Sequence, residues 1–168
     1  MSSDIEVTDM TGDGRWLIVC GYEANLYVYY NNNGFALNQT IQETSGYIWA
    51  AAISDDHQWL VFGDSLGKVF VLKYNGAQFI LNQTITPGSG SIYSIAITND
   101  GNRMAISPQG NYLHYYVHDG QKYERSLTFT FPNTGSRRVH MTDDNQYITI
   151  ADRYNQYVVV YKAKEDSF

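Results

Sequence analysis

The sequence predicts an all-β fold: a β-propeller of about four four-stranded antiparallel blades, the last one lacking its outer strand. Three observations predict it. First, four segments align: IEVTDMTGDGRWLIVCGY (5–22), IWAAAISDDHQWLVFGDS (48–65), IYSIAITNDGNRMAISPQ (92–109) and SRRVHMTDDNQYITIADR (136–153). Their anchors Trp16, Trp59, Arg103 and Tyr147 step by 43, 44 and 44 residues, and self-similarity at such a period signals a repeat architecture. Second, each repeat divides into short β-prone runs whose connections are too short for parallel crossovers. Third, central runs such as WLVF (59–62) and VFVL (69–72) are apolar at every position, which demands cover on both faces. Radial stacking of small twisted sheets supplies that cover.

The second repeat shows the elements in order. IWAAAIS is a short β-prone run that ends in the polar Asp55-Asp56-His57-Gln58. WLVFG follows, then Asp64-Ser65-Leu66-Gly67, then KVFVLKY, the hairpin signal Asn75-Gly76, and FILNQTI. No stretch carries an apolar stripe at helical spacing. The predicted blades are 4–47, 48–91, 92–135 and 136–168, one domain spanning 1–168. The turn after each first strand recurs as TGDGR, SDDHQ, TNDGN and TDDNQ. Its Asp13, Asp56, Asp100 and Asp144 suit local side-chain-to-backbone capping. They lack the ligand spacing of a calcium loop.

The fourth repeat stops early. Outer strands start at Phe35, Phe79 and Tyr123, and the next start falls at the chain's last residues. Fifteen strands are expected. Three explanations stand: a segment of a longer propeller, two copies that self-associate to complete a ring, or a self-contained open form.

Composition narrows the function classes. The net charge of -6 argues against nucleic acid or an anionic membrane as the default partner, since phosphate binding is driven by Lys and Arg. The single Cys20 excludes an internal disulfide and sits in the apolar run WLIVC, as a buried inert thiol does. The N-terminus has no signal-peptide pattern, and no apolar run approaches the roughly 18 residues of a membrane span. A cytoplasmic location is expected. The sequons at Asn38 and Asn82 are read as two copies of one repeat position rather than as glycan acceptors.

IWAAAISDDHQWLVFGDSLGKVFVLKY resembles the first three strands of a WD40 repeat, with Ile48, Ile53, Ser54, Asp56, Leu60, Gly63 and Val69 at matching positions. The resemblance extends over the whole chain and implies propeller blades. Three departures mark it as divergent. The Gly-His pair before the first strand is missing. The Trp-Asp pair closing the third strand is replaced by Tyr29-Tyr30, Leu72-Lys73, Tyr116-Val117 and Val160-Tyr161. The turn Asp of the family's buried hydrogen-bond network aligns with Glu23, Leu66, Gly110 and Tyr154, so that network is expected to be absent.

No nucleophile elbow, phosphate-cradling loop or HExxH appears, so a non-enzymatic role without cofactor or metal is expected. His114 and His118, four apart on a strand, lie about 13 Å from each other and share no metal. In the family, the residues flanking the first strand's opening, with those just before the turn Asp, lie on one rim and commonly contact partners. The resemblance thus implies a protein-binding top rim of Glu6, Tyr22, Tyr47, Trp49, Tyr93, Arg137, Arg138 and Arg153. Trp, Tyr and Arg are the types enriched at interface hot spots. A channel-filling role for Trp49 and Tyr93 is the plainer reading, and Trp16 and Trp59 are assigned to packing. The function expected is a protein-interaction scaffold within a larger assembly. The alternative is a small-ligand or phosphoinositide site at Arg137 and Arg138.

Overall fold

The computed structural model describes residues 4–131, 137–144, 146–152 and 156–162. It is a β-propeller of four blades. Blade 1 is the meander β1 (Ile5–Met10), β2 (Trp16–Gly21), β3 (Leu26–Asn31) and β4 (Phe35–Ile41). Blade 2 holds β5 (Ile48–Ile53), β6 (Trp59–Asp64), β7 (Val69–Tyr74) and β8 (Phe79–Ile85). Blade 3 holds β9 (Ile92–Ile97), β10 (Arg103–Pro108), β11 (Tyr112–His118) and β12 (Tyr123–Thr130). Blade 4 has three described strands, β13 (Arg137–Met141), β14 (Tyr147–Asp152) and β15 (Tyr157–Lys162). Among the described residues no helix is long and apolar enough to cross a membrane.

Each sheet is antiparallel and each blade turns its first strand inward, where β1, β5, β9 and β13 follow one another around a central channel. Blade faces bury each other pairwise. Trp16, Ile18, Leu26 and Val28 of blade 1 meet Leu60, Phe62, Phe70 and Leu72 of blade 2. Trp59, Val61, Val69 and Val71, on the other face of blade 2, meet Met104, Ile106 and Tyr116 of blade 3. Ala105, Leu113 and Tyr115 meet Val139, Ile148 and Ile150 of blade 4. The strands β6 and β7, apolar on both faces, thus have a blade on either side. Cys20 lies in the first of these cores, where burial pushes its thiol up to about 12. A thiol so shifted is not ionised at neutral pH.

The first turn of every blade closes in one way. Thr11, Ser54, Thr98 and Thr142 donate their hydroxyls to Asp13, Asp56, Asp100 and Asp144 at 2.8, 2.5, 2.6 and 2.6 Å. The same hydroxyl oxygens accept the N–H of Trp16, Trp59, Arg103 and Tyr147. The Arg15 N–H at Asp13 and the Thr142 hydroxyl at Asp144 hold both carboxyls below the usual range. The capping role read from the sequence is what these carboxylates perform. The left-handed position that follows is Gly14 in blade 1 and Gly101 in blade 3, but His57, at φ 63°, in blade 2.

A buried polar network is present after all, one strand end away from where the resemblance looked for it. Asp64 closes β6, fully buried. Its Oδ1 accepts the N–H groups of Leu66 at 3.0 Å and Lys68 at 2.8 Å, and its Oδ2 accepts the Thr44 hydroxyl at 2.6 Å. The last residue of the strand, not the turn, carries the carboxylate, and the same position in blade 4 is the buried Asp152.

A second device crosses between blades. Gln39 on β4 donates its amide to the Phe79 carbonyl at 2.8 Å and accepts the Phe79 N–H at 2.9 Å. Gln83 on β8 holds Tyr123 likewise, at 3.0 and 2.8 Å. Each glutamine satisfies both backbone groups at the start of the next blade's outer strand, a pair that would otherwise be half-buried and unpaired. At the corresponding position of blade 3 stands Leu127, packed against the blade 3–blade 4 core. Gln83→Ala is expected to cost about 1–2 kcal/mol in urea unfolding, because it strands one donor and one acceptor. A Gln83→Glu change, which keeps the acceptor alone, should recover part of that loss.

Candidate functional site: the upper rim of the channel

The first strand of each of blades 1 to 3 carries a β-bulge near its start. The β1–β2 register shifts between Ile5 and Val7, which leaves Glu6 unpaired. The β5–β6 register shifts between Ile48 and Ala50, which leaves Trp49 unpaired. In β9, Ile92 pairs with Pro108 and Ser94 with Ser107, so Tyr93 is the extra residue. A bulge re-aims a side chain out of the strand's alternation. Three of the four residues that fail to repeat at this position, Glu6, Trp49, Tyr93 and Arg137, are thus displaced by the backbone. Blade 4 departs from this pattern: Arg137 pairs with Asp152 and Arg138 with Ala151 in regular register.

These residues form a continuous belt. Tyr47 meets Tyr22 edge-on at 5.7 Å between ring centroids, and Tyr22 meets Trp49 at 5.4 Å. Trp49 meets Tyr93 at 6.4 Å. Arg138 donates to the Tyr93 carbonyl at 2.9 Å and lies 3.9 Å from the Glu6 carboxylate. Near-perpendicular ring contacts of this kind are favourable beyond the area they bury. The belt runs from blade 2 through blade 3 to blade 4 and reaches back to blade 1. Tyr22 and Tyr47 are exposed, while Trp49 and Tyr93 are half-buried. The Trp49 indole N–H is shielded from solvent and has no hydrogen-bond partner among the described residues.

Of the eight rim residues singled out in the sequence, six come together: Glu6, Tyr22, Tyr47, Trp49, Tyr93 and Arg138. Arg137 lies on β13, beside Arg138 in sequence. Arg153 lies outside the described residues. The Arg138 guanidinium, 62% exposed, meets the Tyr93 carbonyl and lies near Glu6. Trp16 and Trp59 sit in the first and second inter-blade cores, as packing residues do.

The lower channel differs in chemistry. A cavity of about 370 Å³ opens there, lined by Asp9, Asp55, Asn99, His140 and Asp143 among others. Asp9 accepts the Ile53 N–H at 3.0 Å and Asp55 the Gly12 N–H at 2.6 Å, so both tie blade 1 to blade 2. Burial pushes the Asp9 carboxyl up, an effect that the Ile53 and Met10 N–H groups only partly offset. Sequence reading passed over this carboxylate pair, which lacks a motif and is assembled from two blades.

His114 and His118 point to separate surroundings. His114 Nδ1 lies 2.9 Å from the Thr128 hydroxyl, and His118 packs on Trp59 and Tyr123. Burial lowers both pKa values, favouring neutral rings. Among the described residues no group of three or more potential ligands is placed to hold a metal ion. The chain matches no protein-family profile and no curated protein.

Proposed function

We propose that this chain is a non-catalytic protein-interaction scaffold, a WD40-like propeller that works within a larger assembly in the cytoplasm. Its upper rim takes a segment of a protein partner. The observation that carries the reading is the triple bulge. Three blades spend a break in strand pairing to turn Glu6, Trp49 and Tyr93 onto one mouth. The same bulges also set Ile48 and Ile92 into the inter-blade cores, so one break in pairing serves both the core and the rim. Rigid aromatic rings give large contact area at little entropic cost. The Trp49 N–H, shielded in this conformation, would meet a backbone carbonyl of the bound segment once the ring turns outward. Glu6 and Arg138, opposite in charge at one mouth, favour one orientation of a partner.

Trp49→Ala combined with Tyr93→Ala is expected to weaken partner binding by 2 kcal/mol or more, about thirty-fold. Affinity capture from native extract, quantified by mass spectrometry, checks it. The control is Asp143→Ala at the lower mouth. If every protein enriched on the wild type is equally enriched on the double variant, the rim is not the binding surface. Trp49→Phe separates the two contributions, since it keeps a ring and removes the N–H.

A further inference from the structure

Four blades present three buried junctions, and no buried core joins blade 4 to blade 1 among the described residues. Two faces are left over, and both are built like the buried ones. On blade 1, Ile5, Met10 and Phe35 are 56%, 51% and 46% exposed. At the same repeat positions in blade 2, Ile48, Ile53 and Phe79 are 1%, 5% and 2% exposed, covered by blade 1. On blade 4, Val158 and Val160 are 68% and 58% exposed. They pair with Ala151 and Thr149, on the face opposite Ile148 and Ile150. Their counterparts by pairing register, Val69 and Val71 in blade 2, are fully buried against blade 3. The same register matches Tyr161-Lys162, rather than the Val160-Tyr161 expected from the sequence, with Leu72-Lys73. Blade 1 thus shows the surface that a blade offers its predecessor, and blade 4 the surface that a blade offers its successor. Several exposed apolar residues on one blade face suit an interaction site.

Charge and shape say what fits. Asp4 and Glu23 line one depression with Ile5 on the blade 1 face. The blade 4 face carries Arg138 and His140 on β13, and Lys162 on β15. Phe79 inserts against Trp16 at 5.5 Å, and Tyr123 against Trp59 at 5.6 Å. The blade 4 residue at the Trp position is Tyr147, with Lys162 over its ring at 5.7 Å, and the blade 1 residue at the Phe79 position is Phe35. The two free faces are therefore complementary to each other.

We infer that this chain self-associates head to tail, with the blade 4 face of one copy docking on the blade 1 face of a second copy. Within one copy Val158 and Val160 stay in solvent, while the ends touch through the long side chains of Arg138 and Glu6, 3.9 Å apart at the channel rim. A second copy offers a complementary face that would bury these valines. Each copy carries one face of each kind, so the contact is heterologous and continues until the rotation closes.

Sedimentation velocity over a wide concentration range tests the inference, with a mass of at least twice 19.1 kDa expected as concentration rises. Val160→Lys and Met10→Lys each remove one face and are each expected to weaken association about ten-fold or more. Both sites are in solvent in a single copy, so thermal melts should be unchanged. Val158→Lys and Phe35→Lys are the substitutes if either variant misfolds. Mixing the two variants leaves one intact junction between unlike copies, and a mixed dimer is expected. A mass of 19.1 kDa at every concentration overturns the inference. So does undiminished self-association of either single variant, which would mean that like faces pair. Lower melting of the variants with no change in mass would show that the two faces close on each other within one copy, and also overturns it.

Discussion

Phe62→Ala is expected to lower the unfolding free energy by about 3–5 kcal/mol. Phe62 is completely buried in β6 and stacks on Phe70 with centroids 4.9 Å apart and planes 20° from parallel. It packs in the core between blades 1 and 2, beside Leu60 and Leu72. Truncation removes the ring from a site whose walls are two sheets, each pinned by its own ladder, so the cavity collapses little. Guanidinium unfolding monitored by tryptophan fluorescence reads the loss directly, because Trp16 lies in the same core. A loss below about 1 kcal/mol would mean that the two blades move together to fill the gap.

Asp64→Ala is expected to cost about 3 kcal/mol or more, a large effect for a residue in a strand-end turn. The substitution strands the N–H groups of Leu66 and Lys68 and the hydroxyl of Thr44, all of which now donate to one buried carboxylate. Asp64→Asn keeps one acceptor oxygen and should recover roughly half of the loss. Amide hydrogen exchange checks the mechanism: protection at Leu66 and Lys68 should fall in the Ala variant and persist in the Asn variant. Unchanged protection in Asp64→Ala would show that water replaces the carboxylate.

Much of the architecture was legible in the residues. Trp16 and Trp59 recur 43 residues apart and do the same packing work in successive cores. The SDDHQ-type turns repeat because one hydroxyl and one carboxylate close each hairpin, an interaction within six residues that needs no tertiary context. The polar network was missed for a related reason. The family pattern places its carboxylate in the turn, two residues beyond Asp64, and only the Thr44 hydroxyl from the preceding connection shows that Asp64 is enclosed. The Gln39 and Gln83 grips were equally invisible, since each acts on backbone 40 residues away and a backbone partner leaves no mark on residue identity.

The rim divides in the same way. Glu6, Trp49 and Tyr93 stood out because they break the repeat, but the bulges that displace them depend on the strand register, which is a pairing between strands. Contact between Tyr22 and Trp49, or between Arg138 and Tyr93, joins residues from adjacent blades.

By itself the sequence determined the local and periodic features of this protein: strands, hairpin turns, four repeats, and the class of fold that stacks them. Each rests on side-chain alternation and short-range capping, which are written within one repeat. Only the tertiary structure decided which faces are buried, where carboxylates are enclosed, and that among the described residues Ile5, Met10, Val158 and Val160 stay exposed. Those are relations between blades. They depend on how packed sheets meet, and repeats with nearly the same sequence carry no record of which face is covered.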